Sequence, residues 1–176
     1  MKFHSTPLAG VFVVEPERHE DDRGFFARSW CRQEFADHGL DPNLVQCNIS
    51  FNHRAGTVRG MHFQKPLHEE VKLVRCTSGA ILDVVIDIRT DSPTRLKSFA
   101  VELNSNNRLA LYIPAGFAHG FQTLADGTEV FYQMSHEFQP GSAGGLRWDD
   151  PRLSVEWPLP ISVISDRDLG YPDFSG

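Results

Sequence analysis

The chain has 176 residues, 40% of them hydrophobic, which suits a single domain over residues 1–176 with a sizeable core. Its formal net charge of −6 argues against a nucleic-acid-binding protein. A signal-peptide pattern and an apolar run of membrane-spanning length are both missing, and three cysteines without CxxC spacing predict reduced thiols in the cytoplasm.

Short apolar or alternating runs, separated by Gly, Pro, Asn, Asp and Ser, recur along the whole chain. They predict strands at 10–14, 23–30, 44–51, 58–75 (broken at 65–66), 79–89, 97–103, 108–113, 120–124 and 129–136. Many short strands at close spacing are typical of an all-β fold, either a β-sandwich or a jelly-roll barrel.

The remaining segments are predicted as loops, turns and short helical pieces. Residues 29–39 form the one early helix, with Ser29 as its N-cap and Gly39 at its end. Loops are predicted at 15–22 and 140–145, a turn at 148–151, a short extended piece at 155–158 and a last organised segment at 164–168.

Residues 58–75 (VRGMHFQKPLHEEVKLVR) carry the strongest candidates for chemistry. Strand alternation places Arg59 on the face opposite His62 and Gln64, and a small polar face suits the wall of a pocket. The same alternation points Lys72 toward the hollow that His62 faces. A histidine and a lysine held among apolar residues favour a proton-transfer site.

Each candidate also has a purely structural interpretation. For a lone histidine such as His62, a hydrogen-bonded core residue is the more common case than a base. For Tyr132, a packed tyrosine with a bonded hydroxyl is the more common case than an acid. Asp168 either orients a histidine or forms a capping box with Ser165. Three arginines suit anionic oxygens, but each is also typical of a solvated surface: Arg23, Arg59 and Arg167. No phosphate-binding glycine motif is present, so side chains must hold any nucleotide.

A metal site is an alternative interpretation of the same region. His62, Gln64, Glu69 or Glu70, and His119 resemble the ligand spacing of metal-binding cupins. Those proteins usually have H-x-H where this chain has His62 followed by Gln64. Losing one imidazole weakens a first-row metal site considerably.

Taken together, the motifs are more specific than any single spacing. In chain order they are RGFF, VQCN, VRGMHFQ, KLVRC, DVVIDIR followed by SPT, IPAGFAHGF, VFYQ, WDDP and ISDRD. This order closely resembles the dTDP-4-dehydrorhamnose 3,5-epimerases over about residues 10–168. The resemblance implies a cupin-like jelly roll with a few short helices, and a homodimer with exchanged N-terminal strands. It also implies an enzyme without cofactor or metal that acts on a nucleotide-linked 4-keto-6-deoxyhexose.

The resemblance assigns a role to each matching residue. His62 is the general base, Asp168 its partner, Tyr132 the acid on the opposite face of the sugar, and Lys72 lies near the ketone oxygen. Seven further positions match substrate contacts: Arg23, Gln46, Asn48, Arg59, His119, Phe138 and Arg167.

Five positions depart from the family pattern. Arg28 and Ala143 stand where the family has glutamates that contact the substrate. Phe138 replaces a stacking tyrosine, and Cys47 and Ile49 replace the Asp and His of V-Q-D-N-H-S. The proposed catalytic set is intact, so the chemistry is expected to persist while the nucleotide and the exact sugar stay open.

The leading prediction is conversion of dTDP-4-dehydro-6-deoxy-D-glucose to dTDP-4-dehydro-L-rhamnose by inversion at C3 and C5. A mono-epimerase acting at C3 or C5 on a dTDP-, CDP- or GDP-linked keto sugar remains an alternative. A metal-dependent cupin enzyme and a non-catalytic sugar-binding cupin are the other classes considered. The presence of an acid–base set argues against a non-catalytic sugar-binding cupin, since binding alone needs neither an acid nor a base. The expected partners are the nucleotide sugar and a second copy, with no nucleic acid and no membrane.

Overall fold

Two antiparallel sheets face each other in the computed structural model, which describes residues 1–174. The strands are β1 (Lys2–Ser5), β2 (Phe12–Glu15), β3 (Arg18–Asp21), β4 (Gly24–Ala27), β5 (Gln46–Asn52), β6 (Val58–Gln64), β7 (Lys72–Ser78), β8 (Ala80–Asp87), β9 (Ser98–Asn104), β10 (Ala110–Ile113), β11 (Phe117–Thr123), β12 (Thr128–Met134) and β13 (Ala143–Gly145). The helices are α1 (Arg32–Asp37) and α2 (Asp166–Leu169), with a 3-10 turn at Pro140–Ser142.

The sheet order confirms the predicted all-β, cupin-like sandwich. One sheet has six strands in the order β1-β2-β10-β7-β12-β5, and the other has five in the order β13-β6-β11-β8-β9. Within residues 1–174, β3 and β4 pair only with each other, as a separate hairpin. Apart from β1–β2 and β8–β9, the neighbours in each sheet are not consecutive strands, which is typical of jelly rolls. Within residues 1–174, no helix has the length and apolar character needed to cross a bilayer.

Strand β8 shows how the core forms. Its sequence AILDVVID places Ile81 and Val85 in the core between the sheets, while Val84 and Ile86 belong to a second cluster on the opposite face. The C-terminal segment covers that second face, so the strand is buried on both sides and has a nearly continuous apolar sequence. Apolar burial of this kind contributes roughly 25 cal/mol per Å².

Several element predictions are wrong. β1 was not expected, and the predicted loop at 15–22 contains β3, whose exposed sequence RHED lacks the apolar alternation that marks a strand. The predicted loop at 140–145 contains β13, whose sequence AGG has no strand propensity but pairs with β6 at the sheet edge. In each case, pairing with a neighbouring strand decides the conformation, and the local sequence does not.

The predicted early helix exists but begins later than expected. Cys31, and not Ser29, is the N-cap of α1, and its side chain makes no capping hydrogen bond. The predicted end is confirmed, since Gly39 follows the helix with a φ of +70° and its N–H donates to Ala36.

An irregularity in β6 shapes the inner surface of the smaller sheet. His62 pairs with His119, but Arg59 pairs with Phe121, so three steps along β6 match two steps along β11. The extra residue is a β-bulge, and it places Arg59 on the same face as His62. The predicted placement of Arg59 on the opposite face is therefore wrong. At the bulge, a Cβ on Gly60 would lie 2.6 Å from the Gly120 backbone.

Candidate active site

A cavity of about 240 Å³ lies between the two sheets and collects most of the predicted site residues. The five-stranded sheet contributes Arg59, His62, His119 and Phe121, and the six-stranded sheet contributes Asn48, Ser50, Lys72, Tyr132 and Met134. The predicted base and the predicted acid thus come from opposite walls. The prediction that Lys72 and His62 face one hollow is borne out by their positions.

His62 forms a close pair with Asp168. Its Nε2 lies 2.7 Å from Asp168 Oδ1, and the Gly60 N–H donates to Asp168 Oδ2 at 3.2 Å. Burial alone would raise the pKa of Asp168, but the hydrogen bonds from His62 and Gly60 outweigh it and hold that pKa below its usual value. An ionised Asp168 fixes the orientation of the imidazole and stabilises it once it has gained a proton.

Helix α2 carries Asp168 and places its carboxylate beside His62. The Asp168 N–H donates to Ser165 Oγ at 3.1 Å, so Ser165 is a true N-cap. The two interpretations of this segment both hold, because the backbone of Asp168 is capped while its carboxylate bonds to His62. The cap positions the first turn of the helix against β6.

A second histidine–aspartate pair lies beside the first. His119 Nε2 is 2.7 Å from Asp83 Oδ1, and both side chains are buried. Asp83 Oδ2 has no hydrogen-bond partner within residues 1–174. The sequence analysis overlooked Asp83, although a lone carboxylate inside the apolar run of β8 was an available indication.

Tyr132 is a tyrosine of the cavity wall that retains its hydroxyl proton. Burial raises the pKa of its hydroxyl, and the negative charge of Asp83 raises it further. The phenol therefore stays neutral across the physiological pH range. Its ring packs edge-on against His119, with centroids 6.1 Å apart, which holds the hydroxyl in the cavity wall.

Lys72 is held by an acidic side chain that precedes β7. Its Nζ lies 3.1 Å from Glu70 Oε1, and Gln64 Nε2 donates to Glu70 Oε2 at 3.1 Å. The backbone N–H of Gln139 donates to Gln64 Oε1 at 2.9 Å. Polar groups buried in this way need such partners, since an unsatisfied one costs about 1–3 kcal/mol.

Arg59 is oriented by a residue that the sequence analysis missed. Its Nε donates to Asn52 Oδ1 at 2.7 Å, and Asn52 Nδ2 donates to the Thr128 carbonyl at 3.2 Å. Asn52 is 2% exposed, so its amide is fixed by the end of the larger sheet. Arg59 lines the cavity, and a guanidinium is a planar fork that suits anionic oxygens.

The family model described as dTDP-4-dehydrorhamnose 3,5-epimerase matches residues 5–176. The chain belongs to this epimerase family. The enzyme of that name from Sinorhizobium fredii is 40% identical over 173 residues, which cover 98% of this chain and 89% of the relative.

Solved structures agree with this family assignment. The epimerase from Bacillus anthracis, determined with TDP and PPi bound, superposes with a TM-score of 0.95 at 36% identity, covering 98% of this chain and 99% of the other. A 3'-monoepimerase from Streptomyces bikiniensis in complex with dTDP-quinovose gives a TM-score of 0.89 at 32% identity, covering 97% and 86%. The predicted family, fold and isomerase class are confirmed.

The residues of the metal interpretation have other partners in this epimerase. Gln64 and Glu70 bond to each other, and Glu70 also bonds to Lys72. Glu69 lines a separate groove beside Arg89. Within residues 1–174, no cluster of three or more His, Cys, Asp or Glu side chains has a metal-binding arrangement.

The remaining predicted contacts lie at the rim of the cavity or away from it. Gln46 Oε1 accepts from the Phe138 N–H at 3.1 Å, and the Phe138 side chain is half-exposed. Arg167 lies on α2 over the Tyr171 ring and does not line the cavity. Arg23 lies on the exposed β3–β4 hairpin, bonded to Asp21, so one chain does not bring it to the site.

Proposed function

We propose that this epimerase inverts C3 and C5 of dTDP-4-dehydro-6-deoxy-D-glucose to give dTDP-4-dehydro-L-rhamnose. One observation carries the proposal: His62 and Tyr132 line the same cavity from opposite sheets. Inversion at carbon needs a proton removed from one face and another delivered to the other face. Two proton-transfer groups on opposite walls satisfy that requirement.

The chemistry follows from the ketone at C4, which acidifies the hydrogens on C3 and C5. His62, oriented by Asp168, removes one of these protons as the electrons move onto the ketone oxygen to form an enolate. The cationic Lys72 stabilises that oxygen, assisted by Arg59. Tyr132 then donates its proton to the opposite face of the same carbon. Proton exchange with solvent then returns His62 to its neutral form and Tyr132 to its protonated form. Repetition at the second carbon gives the double epimer, and the reaction uses no redox step and no cofactor.

A mono-epimerase that acts at one carbon only is the second candidate. The Streptomyces bikiniensis protein is a 3'-monoepimerase, and its structure superposes on this chain with a TM-score of 0.89. The acid–base pair serves either reaction, because the second inversion depends on how the keto sugar turns within the cavity.

Deuterium incorporation tests both candidates. The protein is incubated with dTDP-4-dehydro-6-deoxy-D-glucose in deuterated water, and C3 and C5 are followed by NMR. Incorporation at both carbons with formation of the L-rhamno product supports double inversion, and incorporation at one carbon supports the mono-epimerase. If neither carbon exchanges with dTDP-, CDP- or GDP-linked keto sugars, the proposed activity is wrong.

We also propose that two chains form a homodimer in which the β3–β4 hairpin reaches the partner's cavity. Phe26 on β4 of this hairpin is 75% exposed, and Ile49 on β5 is 65% exposed. Apolar surface of this kind is typical of an interface. The dimer would explain why Arg23, matched to a nucleotide contact, lies far from the cavity of its own chain.

The proposed reaction takes place in the cytoplasm. The substrate is a nucleotide sugar, and Cys31, Cys47 and Cys76 carry free thiols that reducing conditions preserve. Fractionation of cells that produce the protein, with activity measured in each fraction, tests this location.

A further inference from the structure

Glu70 is a buried carboxylate to which the proposed mechanism gives no role. Its side chain is 5% exposed and lies beside the Lys72 side chain, which is 11% exposed. Its two oxygens have different partners, Lys72 Nζ on one side and Gln64 Nε2 on the other, both at 3.1 Å. Buried carboxylates are rare unless they are paired in this way, because desolvation is costly.

The direction of the hydrogen bonds identifies the chemical form of Glu70. The backbone N–H of Gln139 can only donate, so the atom of Gln64 that it contacts must be the carbonyl oxygen Oε1. The NH₂ group of Gln64 therefore faces Glu70 and donates to it. Lys72 also donates to Glu70. Residue 70 must accept hydrogen bonds on both oxygens, which an ionised carboxylate does and an amide or a protonated acid does not.

The charge of Glu70 matters because of what surrounds Lys72. Lys72 is buried, and the guanidinium of Arg59 lines the same cavity, so the ammonium group has little solvent around it and a second cation nearby. Within residues 1–174, Glu70 is the carboxylate that lies within 4.0 Å of Lys72 Nζ. The other titratable or charged side chains that line the cavity with Lys72 are Arg59, His62, His119 and Tyr132. None of these carries a permanent negative charge.

We propose that Glu70 is a positioning residue that keeps Lys72 protonated and aimed at the ketone oxygen of the substrate. Gln64 and the backbone of Gln139 fix the polarity of this arrangement. The inference rests on the proposed function for the role of Lys72, and it adds a residue that sets the charge of the enolate-stabilising group. The same hydrogen bonds connect Lys72, through Glu70 and Gln64, to the backbone of residues 138–142 beside the cavity.

Two variants separate the charge of Glu70 from its part in the hydrogen-bond network. Glu70→Gln removes the charge and turns an NH₂ group toward the NH₂ group of Gln64. The double variant Glu70→Gln/Gln64→Glu restores an acceptor opposite each donor, while it moves the negative charge away from contact with Lys72. A structural role is therefore rescued by the exchange, whereas an electrostatic role is not.

The first measurement is an NMR titration of the lysine side chains, which needs no substrate. The chain has four lysines, and Lys72→Met identifies the signal of Lys72 by its loss. In Glu70→Gln and in the double variant, we expect Lys72 to lose its proton at a pH lower by about one unit or more than in the wild type.

The second measurement is kcat and KM with the keto sugar. We expect kcat to fall about tenfold or more in Glu70→Gln with KM nearly unchanged, since the enolate loses stabilisation that the bound substrate does not use. The double variant should recover thermal stability but not kcat. An unchanged Lys72 titration in Glu70→Gln, or full recovery of kcat in the double variant, would overturn the proposal. Lack of wild-type turnover would refute the proposed function. The NMR titration alone would then test whether Glu70 keeps Lys72 protonated.

Discussion

His62 and His119 are register partners on adjacent strands, and each presents Nε2 to an aspartate oxygen at 2.7 Å. Their exposure separates them, since 38% of the His62 side chain is exposed but only 5% of the His119 side chain. Two similar pairs in one cavity therefore differ in their access to a substrate. The accessible pair suits proton transfer, and the buried pair suits the cavity wall.

Substitution of each histidine should have a different effect. We expect His62→Ala to abolish deuterium exchange at C3 and C5 while the melting temperature stays close to that of the wild type. His119→Ala leaves Asp83 buried without its partner, so it should destabilise the fold by about 3 kcal/mol. NMR exchange and chemical denaturation measure the two effects. Near-normal exchange in His62→Ala would show that another group is the base.

Asp168→Asn should remove most of the activity without unfolding the protein. An amide of the same size keeps the packing of α2 but supplies no charge to stabilise the protonated imidazole. General acid–base groups contribute about 10²- to 10⁴-fold, and kcat should fall within that range. Steady-state kinetics checks this, with Asp166→Asn on the exposed side of the same helix as the matched control. Equal losses in both variants would point to a structural defect of α2.

Tyr132→Phe should separate proton removal from inversion. The variant retains His62 and Lys72, so deprotonation and exchange from the substrate face should continue while formation of the inverted product falls at least about tenfold. NMR in deuterated water reads both quantities in one sample. Tyr112→Phe is the control, because its hydroxyl accepts from the Asp41 N–H away from the cavity. Loss of exchange together with loss of inversion would contradict the assignment of Tyr132 as the acid.

Asp87 should make the stability of the fold depend on pH. Burial would raise the pKa of Asp87, but hydrogen bonds from Arg89, Ser92 and Thr94 together hold it well below its usual range. A carboxylate with a lowered pKa contributes stability fully above the unfolded pKa of about 4, and loses it as the pH falls toward the folded value. We expect Asp87→Asn to cost about 2 kcal/mol at pH 7.

Unfolding in denaturant at pH 7 and pH 3 measures that contribution. The difference in free energy of unfolding between wild type and Asp87→Asn should shrink at the lower pH. Asp91→Asn, in the exposed turn that follows, is the control and should show no difference at either pH. A difference of the same size at both pH values would mean that the charge of Asp87 is not responsible.

Mixing two inactive variants should restore activity if the hairpin serves the partner's cavity. In the proposed dimer, each cavity uses His62 of its own chain and Arg23 of the other chain. When an Arg23→Ala chain pairs with a His62→Ala chain, one cavity therefore lacks both residues and the other cavity has both. Random exchange of subunits should therefore recover about a quarter of the wild-type activity. Unmixed variants and a mixture of His62→Ala with Asp168→Asn are the controls, since these two residues belong to one chain's site. No recovery in the first mixture would place Arg23 outside the partner's cavity.

Motifs in the sequence were sufficient to predict the family and the sandwich, and six of the predicted site residues line one cavity: Asn48, Arg59, His62, Lys72, His119 and Tyr132. Strand alternation correctly placed Lys72 on the inner face, because side chains on a regular strand alternate with a fixed period. Strand propensity did not predict β3 and β13, whose polar or glycine-rich sequences form strands only because a partner strand is present. Asn52, Asp83 and Glu70 were missed as partners, since each acts through a residue that it meets only in the folded chain.

The sequence by itself determined which chemical groups are present and the order in which they occur. Only the tertiary structure decided which of them meet. His62 and Asp168 are 106 positions apart, and no local pattern encodes their distance of 2.7 Å. One extra residue in β6 places Arg59 beside His62, because a bulge reverses the alternation on one side of it. The direction in which a side chain points depends on this pairing between strands, and pairing is a property of the whole fold.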